Sequence, residues 1–159
     1  MPRFPSAGDW VEVTCDPLPV AEVSQWAVTA SCGALSVFCG TVRDHSDGRP
    51  GVVRLEYEAY ADHVVPRLDA IANAVREQWP VVGRVALLHR VGTLQVGEVS
   101  VVIAVSTPHR HEAFAAASWC IDTVKATAPI WKREVWDGGS DWGLCAHGLV
   151  EVDELARGG

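Results

Sequence analysis

The sequence predicts an α+β domain, an antiparallel sheet with three main helices, and three features of the chain point there. Apolar residues recur at helical spacing in three separate stretches, while the segments between them alternate or run apolar as strands do. Two of those strand segments are joined by GTLQVG, which reads as a hairpin. The resulting order is strand, helix, strand, strand, helix, strand, strand, helix, strand. Helices separated by antiparallel hairpins, rather than by single parallel strands, belong to the α+β class.

Each element has its own signal. DWVEVTCD, Asp9 to Asp16, alternates well enough for a first strand. Pro17 and Pro19 open a helical stretch to about Ala30, with Val20, Val23, Trp26 and Ala27 on one face. Gly33 breaks it, and Ala34 to about Val42 reads as a buried strand. DHSDGRPG, Asp44 to Gly51, is a loop. Val52 to Tyr60 alternates, with Val53, Leu55, Tyr57 and Ala59 on one face and Arg54, Glu56, Glu58 and Tyr60 on the other. The second helix runs from about Asp62 to Trp79, its stripe being Val64, Val65, Leu68, Ile71, Ala72 and Val75; Pro66 is tolerated in the first turn. Val82 to Val91 and Glu98 to Ser106 are the hairpin strands. A third helix from about Pro108 to Ala126 buries Phe114, Ala117, Ile121 and Val124, and Ile130 to Trp136 is the last strand.

A chain of 159 residues fits one domain, 1–159, with no linker, repeat or low-complexity segment; its motifs fall within 33–134, and the Gly-rich tail 137–159 carries little signal. No stretch approaches the eighteen apolar residues of a membrane span, and MPRFPSAGDW lacks a signal-peptide core, so a cytoplasmic protein is expected. The five cysteines form no CxxC pair and read as reduced, packed thiols. The histidines lack metal-ligand spacing, and neither metal nor cofactor is expected. A net charge of −7 argues against general nucleic-acid binding, because backbone phosphates need a basic face. Any anion site must be local.

Two features point to such a site. Of thirteen basic residues only two are lysines, Lys125 and Lys132, and they lie close together in KATAPIWKRE. Lysine can surrender its proton where arginine cannot, so scarcity at this spot suggests chemistry; two neighbouring surface lysines are the plainer alternative. Lys132 and Glu134 share one face of the last strand and Arg133 takes the other. A lysine at a helix end beside one on the next strand makes a cationic pocket suited to a carboxylate-ended peptide. The second feature is the start of the third helix, where Thr107 reads as N-cap, Pro108 as first helical residue, and His109, Arg110 and His111 follow. Cations oppose the helix dipole there, which makes sense if a phosphate or carboxylate docks between them and the free N–H groups; an exposed basic turn is the alternative. Arg110 and Lys125 are about 22 Å apart along a straight helix, too far to share one small ligand within one chain. Arg43, ending SVFCGTVR, is a third candidate, with Gly40 beside it allowing close backbone approach.

The segments FCGTVRDHSDG, LEYEAY, HRVGTLQVGEVSVVIAVSTPHRHEAF and IDTVKATAPIWKRE, in this order from Gly33 to Glu134, resemble the large, catalytic subunit of molybdopterin synthase. The resemblance implies an α/β-hammerhead fold and a central homodimer with a small ubiquitin-like subunit at each end, a heterotetramer. It implies a sulfurtransferase of molybdenum cofactor biosynthesis. The small subunit's C-terminal Gly-Gly thiocarboxylate would donate two sulfurs in turn to cyclic pyranopterin monophosphate (precursor Z), forming the dithiolene of molybdopterin. It assigns Lys125 and Lys132 as catalytic and Arg43, His109 and Arg110 as substrate-binding, with the pocket near the dimer interface, where His109 and Arg110 can serve the neighbouring copy. Two features depart from the pattern: no lysine or arginine follows Arg133 until Arg157, and the chain ends Arg157-Gly158-Gly159, a tail like the sulfur carrier's own. A non-catalytic phosphate-ligand-binding regulator would use His109 and Arg110 and need neither lysine. A Schiff-base lyase would use Lys125 as its amine.

Overall fold

The computed structural model describes residues 8–46, 48–144 and 151–156. The first seven residues, Cys145 and the Arg157-Gly158-Gly159 terminus, each given a reading above, lie outside them. Among the described residues the strands form two four-stranded sheets and a small ribbon, antiparallel as expected except for one parallel edge pair, with the three expected main helices.

The first sheet has β1 (Asp9–Thr14), β6 (Val85–Arg90), β8 (Val99–Thr107) and β2 (Ala34–Thr41) side by side in that order. β6–β8 and β8–β2 are antiparallel; β1 joins β6 in parallel. Both faces of β6 and β8 are covered, so their sequences run apolar without a break. Val85, Leu87, Ile103 and Val105 enter the main core, while Ala86, Leu88, Val102 and Ala104 enter a second cluster with Trp10, Val23 and Trp26. That second cluster is capped by α1 (Val20–Ala27), shorter than its sequence suggests. The main core lies under α2 (Ala61–Gln78) and α3 (Arg110–Thr127). Arg76 of α2 pins the start of β1, donating to Asp9 at 2.9 Å through Nε and to the carbonyls of Gly8 at 2.7 Å and Gly83 at 3.0 Å through Nη2.

The second sheet has the order β10 (Gly139–Leu144), β9 (Ile130–Trp136), β5 (Val52–Ala59) and β7 (Gly92–Gln95), all antiparallel. Here the chain departs from the expected hairpin. β6 and β8 do pair, yet GTLQ between them is strand β7, which crosses to β5 and buries Leu94; Gly92, at φ 93°, makes the break between β6 and β7. A bulge between Val52 and Arg54 shifts the start of β5, burying Val52 and exposing Val53 against expectation. The 44–51 loop holds a short ribbon of β3 (His45–Ser46) and β4 (Arg49–Pro50). α4 (Val152–Ala156) follows, with Val152 buried in the main core.

α3 buries Ala113, Ala116, Ala117, Cys120, Thr123, Val124 and Thr127, whereas Phe114 is 66% exposed, contrary to its assignment to the core. Small residues on the inner face let the helix lie close on β8 and β2, and a phenylalanine one position round the helix is left outside. The N-cap is His109, not Thr107; Thr107 is buried, and its hydroxyl donates to the His109 carbonyl at 2.5 Å. Among the described residues no helix is long and apolar enough to cross a membrane.

Candidate active site

Three of the five candidate residues converge. Arg43 follows β2, Lys125 stands in the last turn of α3, and Lys132 lies on β9; all three line one cleft of about 300 Å³ with Phe38, Tyr57 and Glu134. Each is placed by a different device. Val42 is buried and held from both sides, its N–H donating to the Glu98 carbonyl at 2.9 Å and its own carbonyl accepting from Gly97 at 2.7 Å, so Arg43 starts from a fixed point. Gly40, also on the wall, lies so close to β8 that a Cβ there would stand 2.6 Å from Val101 Cγ1. Ala128 carries the chain from α3 into β9 at the buried bend before Ile130, which brings Lys132 back over the mouth beside Lys125. Lys132 sits opposite Tyr57, and Glu134 opposite Leu55, in the β5–β9 register.

The cleft concentrates positive charge in an acidic chain. Lys132 Nζ lies 3.3 Å from Glu134 Oε1, and the other carboxylate oxygen accepts from the Ser46 hydroxyl at 2.8 Å. Arg43, Lys125 and Lys132 thus set three positive charges against the Glu134 carboxylate among the residues that line the cleft. That balance suits an anionic ligand, and a small cavity focuses its field. At the rim His45 Nδ1 lies 2.8 Å from Asp44 Oδ1, and this hydrogen bond with its charge holds the Asp44 carboxyl below its ordinary range. Arg133, on the opposite face as the alternation predicts, pairs with Glu56 and stacks over Trp142 at 5.3 Å.

Tyr57 forms a partition. It also lines a shallow aromatic groove of about 720 Å³ with Tyr60, Trp131 and Trp142, and a small inner chamber of about 50 Å³ behind Lys125. That chamber holds His89, which is 6% exposed and packs edge-on to Tyr57 with ring centroids 5.2 Å apart. Burial, assisted by the Lys125 charge, pushes His89 down to about 4.

His109 and Arg110 stand apart from this cleft, exposed at the opposite end of the same eighteen-residue helix, about 27 Å long. Within one chain they do not meet the lysines. Cys120 is buried under α3 with its thiol pushed up to about 12 by burial, and burial likewise raises Cys39; neither lines the cleft.

Glu134, Ser46, Tyr57 and His89 are not singled out as site residues by the sequence. Glu134 is legible as a face-mate of Lys132; the others come from distant segments, and only the fold brings them to the lysines.

Residues 13–127 match the MoaE protein family. A molybdopterin synthase catalytic subunit from Nostoc sp. is 46% identical over 139 residues, covering 87% of this chain and 84% of that one. Its counterpart of the same name from Taeniopygia guttata is 42% identical over 134 residues, covering 84% and 86%. The crystal structure of molybdopterin synthase from Staphylococcus aureus superposes with a TM-score of 0.78 at 35% identity, over 83% of this chain and 95% of that one. The fold, the cleft and matches of this extent lead to one conclusion: the chain belongs to the MoaE family, that of the molybdopterin synthase catalytic subunits.

Proposed function

We propose that this chain takes sulfur from the C-terminal thiocarboxylate of a small ubiquitin-like partner and adds it, twice, to cyclic pyranopterin monophosphate, giving the dithiolene of molybdopterin. The observation that carries this reading is the convergence of the chain's only two lysines on one cleft beside Arg43. A cleft of about 300 Å³ is of the size that encloses a small ligand.

The chemistry assigns each residue a task. The thiocarboxylate is anionic, and the Lys125 ammonium steadies it and the charge of the tetrahedral adduct that follows. As sulfur bonds to a carbon of the pterin side chain it displaces an oxygen substituent, whose carbon–oxygen bond breaks and which departs on the phosphate or as water. Water then adds at the acyl carbon and the acyl carbon–sulfur bond breaks, so the partner's tail ends as a carboxylate. Lys125 carries the proton in that exchange. Lys132, steered by Glu134, works at the pterin side chain. Arg43 binds the phosphate through charge-assisted hydrogen bonds. The sulfur arrives on the partner, so no cysteine carrier is needed. His109 and Arg110 complete the phosphate and pterin contacts from a second copy of the chain, in a homodimer flanked by two small subunits. The relatives' name, catalytic subunit, also calls for a second kind of chain. We place the assembly in the cytoplasm, in keeping with the free thiols of Cys15, Cys32, Cys39 and Cys120.

The test is Lys125→Ala, supplied with thiocarboxylated partner and the pterin. Dithiolene formation should fall by about a hundredfold or more, the scale of losing one preorganised charge donor, with the circular dichroism spectrum unchanged. Normal dithiolene formation by this variant would overturn the assignment.

A further inference from the structure

The two lysines differ in what they meet. Lys132 has a carboxylate partner, Glu134, at 3.3 Å, which offsets its charge. Lys125 backs onto the inner chamber, whose walls it shares with Tyr57, Ser100, Val101 and His89. Lys125, Tyr57, Ser100 and Val101 also line the cleft, so Lys125 stands at the boundary between the cleft and the chamber, and His89 belongs to the chamber alone.

The chemistry of His89 is fixed by its surroundings. Its Nδ1 lies 2.8 Å from the Arg90 carbonyl, and a carbonyl only accepts, so Nδ1 carries the hydrogen. In the neutral ring Nε2 is then a bare acceptor. The ring is 6% exposed and is wedged edge-on against Tyr57, so it cannot swing out to solvent without breaking that packing. Burial and the neighbouring ammonium both favour the neutral form, against the backbone hydrogen bond, and bring it to about 4.

Building on the sulfur-transfer reading above, we propose that His89 is a positioning residue for Lys125, presenting its unprotonated Nε2 to the chamber as the acceptor for the Lys125 ammonium or for a water held between them. A chamber of about 50 Å³ is roomy enough for one such water. A neutral acceptor suits the task. A carboxylate there would pair with the ammonium and cancel the charge that the substrate anion needs, as Glu134 does in part for Lys132, and a protonated imidazole would repel it. An imidazole kept neutral by its burial selects one direction for a long, flexible side chain and leaves its charge intact.

Three variants separate orientation from packing. His89→Asn retains a donor for the Arg90 carbonyl and has no atom at the Nε2 position; His89→Gln reaches that position with its amide; His89→Phe keeps the ring volume alone. With thiocarboxylated partner and cyclic pyranopterin monophosphate, His89→Asn and His89→Phe should lose between about tenfold and a hundredfold in kcat, the scale of a misplaced catalytic group, at unchanged KM for the pterin. His89→Gln should recover most of it. A second measurement leaves His89 in place: in protein labelled with ¹⁵N-histidine, Lys125→Ala, a change at an exposed site, should move the His89 Nε2 signal toward that of an unbonded nitrogen. Wild-type kcat in His89→Asn, equal losses in the Asn and Gln variants, or an unmoved Nε2 signal each overturns the proposal. If the wild-type chain itself makes no dithiolene, the sulfur-transfer reading fails, and the nitrogen signal alone decides whether His89 meets Lys125.

Discussion

Acid should unfold this protein partly through one histidine. His89 goes from an ordinary value of 6.5 to about 4 in the folded chain, so between those limits the unfolded state binds a proton that the folded state refuses. Stability therefore falls as pH drops through that window and is retained above it. Two and a half pH units at about 1.4 kcal/mol each set a ceiling of about 3–4 kcal/mol. Because the folded histidine is half protonated at pH 4, about 3 kcal/mol of it is lost between pH 7 and pH 4, a large part of a small domain's total. The groups that bear on His89 are few. Burial dominates, Lys125 adds like-charge repulsion, and the Arg90 carbonyl opposes both. Urea unfolding followed by tryptophan fluorescence at pH 7, 6, 5 and 4 measures the loss, and His89→Phe removes the titrating group. Asp44 and Glu98, whose carboxyls are held below their ordinary range at exposed positions, lose stabilisation in acid in both proteins and so cancel in the comparison. The wild type should lose about 3 kcal/mol more than His89→Phe, most of it between pH 6 and 4.5. Parallel losses in the two proteins would show that His89 protonates freely in the folded state, and the buried, neutral imidazole would have to be abandoned.

Two further outcomes follow from the placement of other side chains. Cys120→Ser should cost about 1 kcal/mol, because a serine hydroxyl on α3 can bond the carbonyl four residues back as Thr123 and Thr127 do, while sulfur transfer per folded molecule stays unchanged; a persulfide on Cys120 during turnover would contradict this. Arg110→Ala should change unfolding free energy by less than about 0.5 kcal/mol, since the residue is exposed and opposes the helix dipole. Calorimetry should find its pterin affinity lower by about 1.5–3 kcal/mol with small-subunit binding unaffected, and the reverse pattern would assign the cluster to the partner.

The parts of the fold that are legible in the sequence are those governed by strong local periodicity. Val64, Leu68, Ile71, Ala72 and Val75 form the buried stripe of α2 as their spacing requires. Legibility fails where a distant segment decides. GTLQ reads as a connection, and only the free edge of β5 makes it a strand. Val53 reads as inward, and one extra residue in the ladder turns it out. Phe114 outweighs its neighbours on any hydropathy scale, yet the core beneath α3 admits alanines and threonines because the helix lies close to the sheet. The site divides in the same way. Scarcity marks Lys125 and Lys132, and strand alternation puts Glu134 beside Lys132. Nothing local marks His89, which sits in an apolar strand like any core residue and acquires its neighbour only when α3 is laid across β8.

The separation of Arg110 from Lys125 has a consequence that mixing can measure. If one cleft draws Lys125 from one chain and Arg110 from another, each dimer holds two composite clefts. A dimer of Lys125→Ala with Arg110→Ala then carries both defects in one cleft and neither in the other. Random exchange of equal amounts makes half the dimers mixed, and half the clefts in those are intact, so about one quarter of wild-type activity should return from two crippled preparations. If both residues served the same cleft from the same chain, every cleft would carry a defect and mixing would return nothing above the average of the two. Co-refolding or co-expression ensures the exchange, and the dithiolene yield after adding thiocarboxylated partner is the readout. Lys125→Ala mixed with Lys132→Ala is the control: those two line one cleft in one chain, so every cleft in every dimer lacks one lysine and no activity should return. Recovery in the control but not in the test pair would mean that the subunits are shared in some other way, and that His109 and Arg110 serve something other than this cleft.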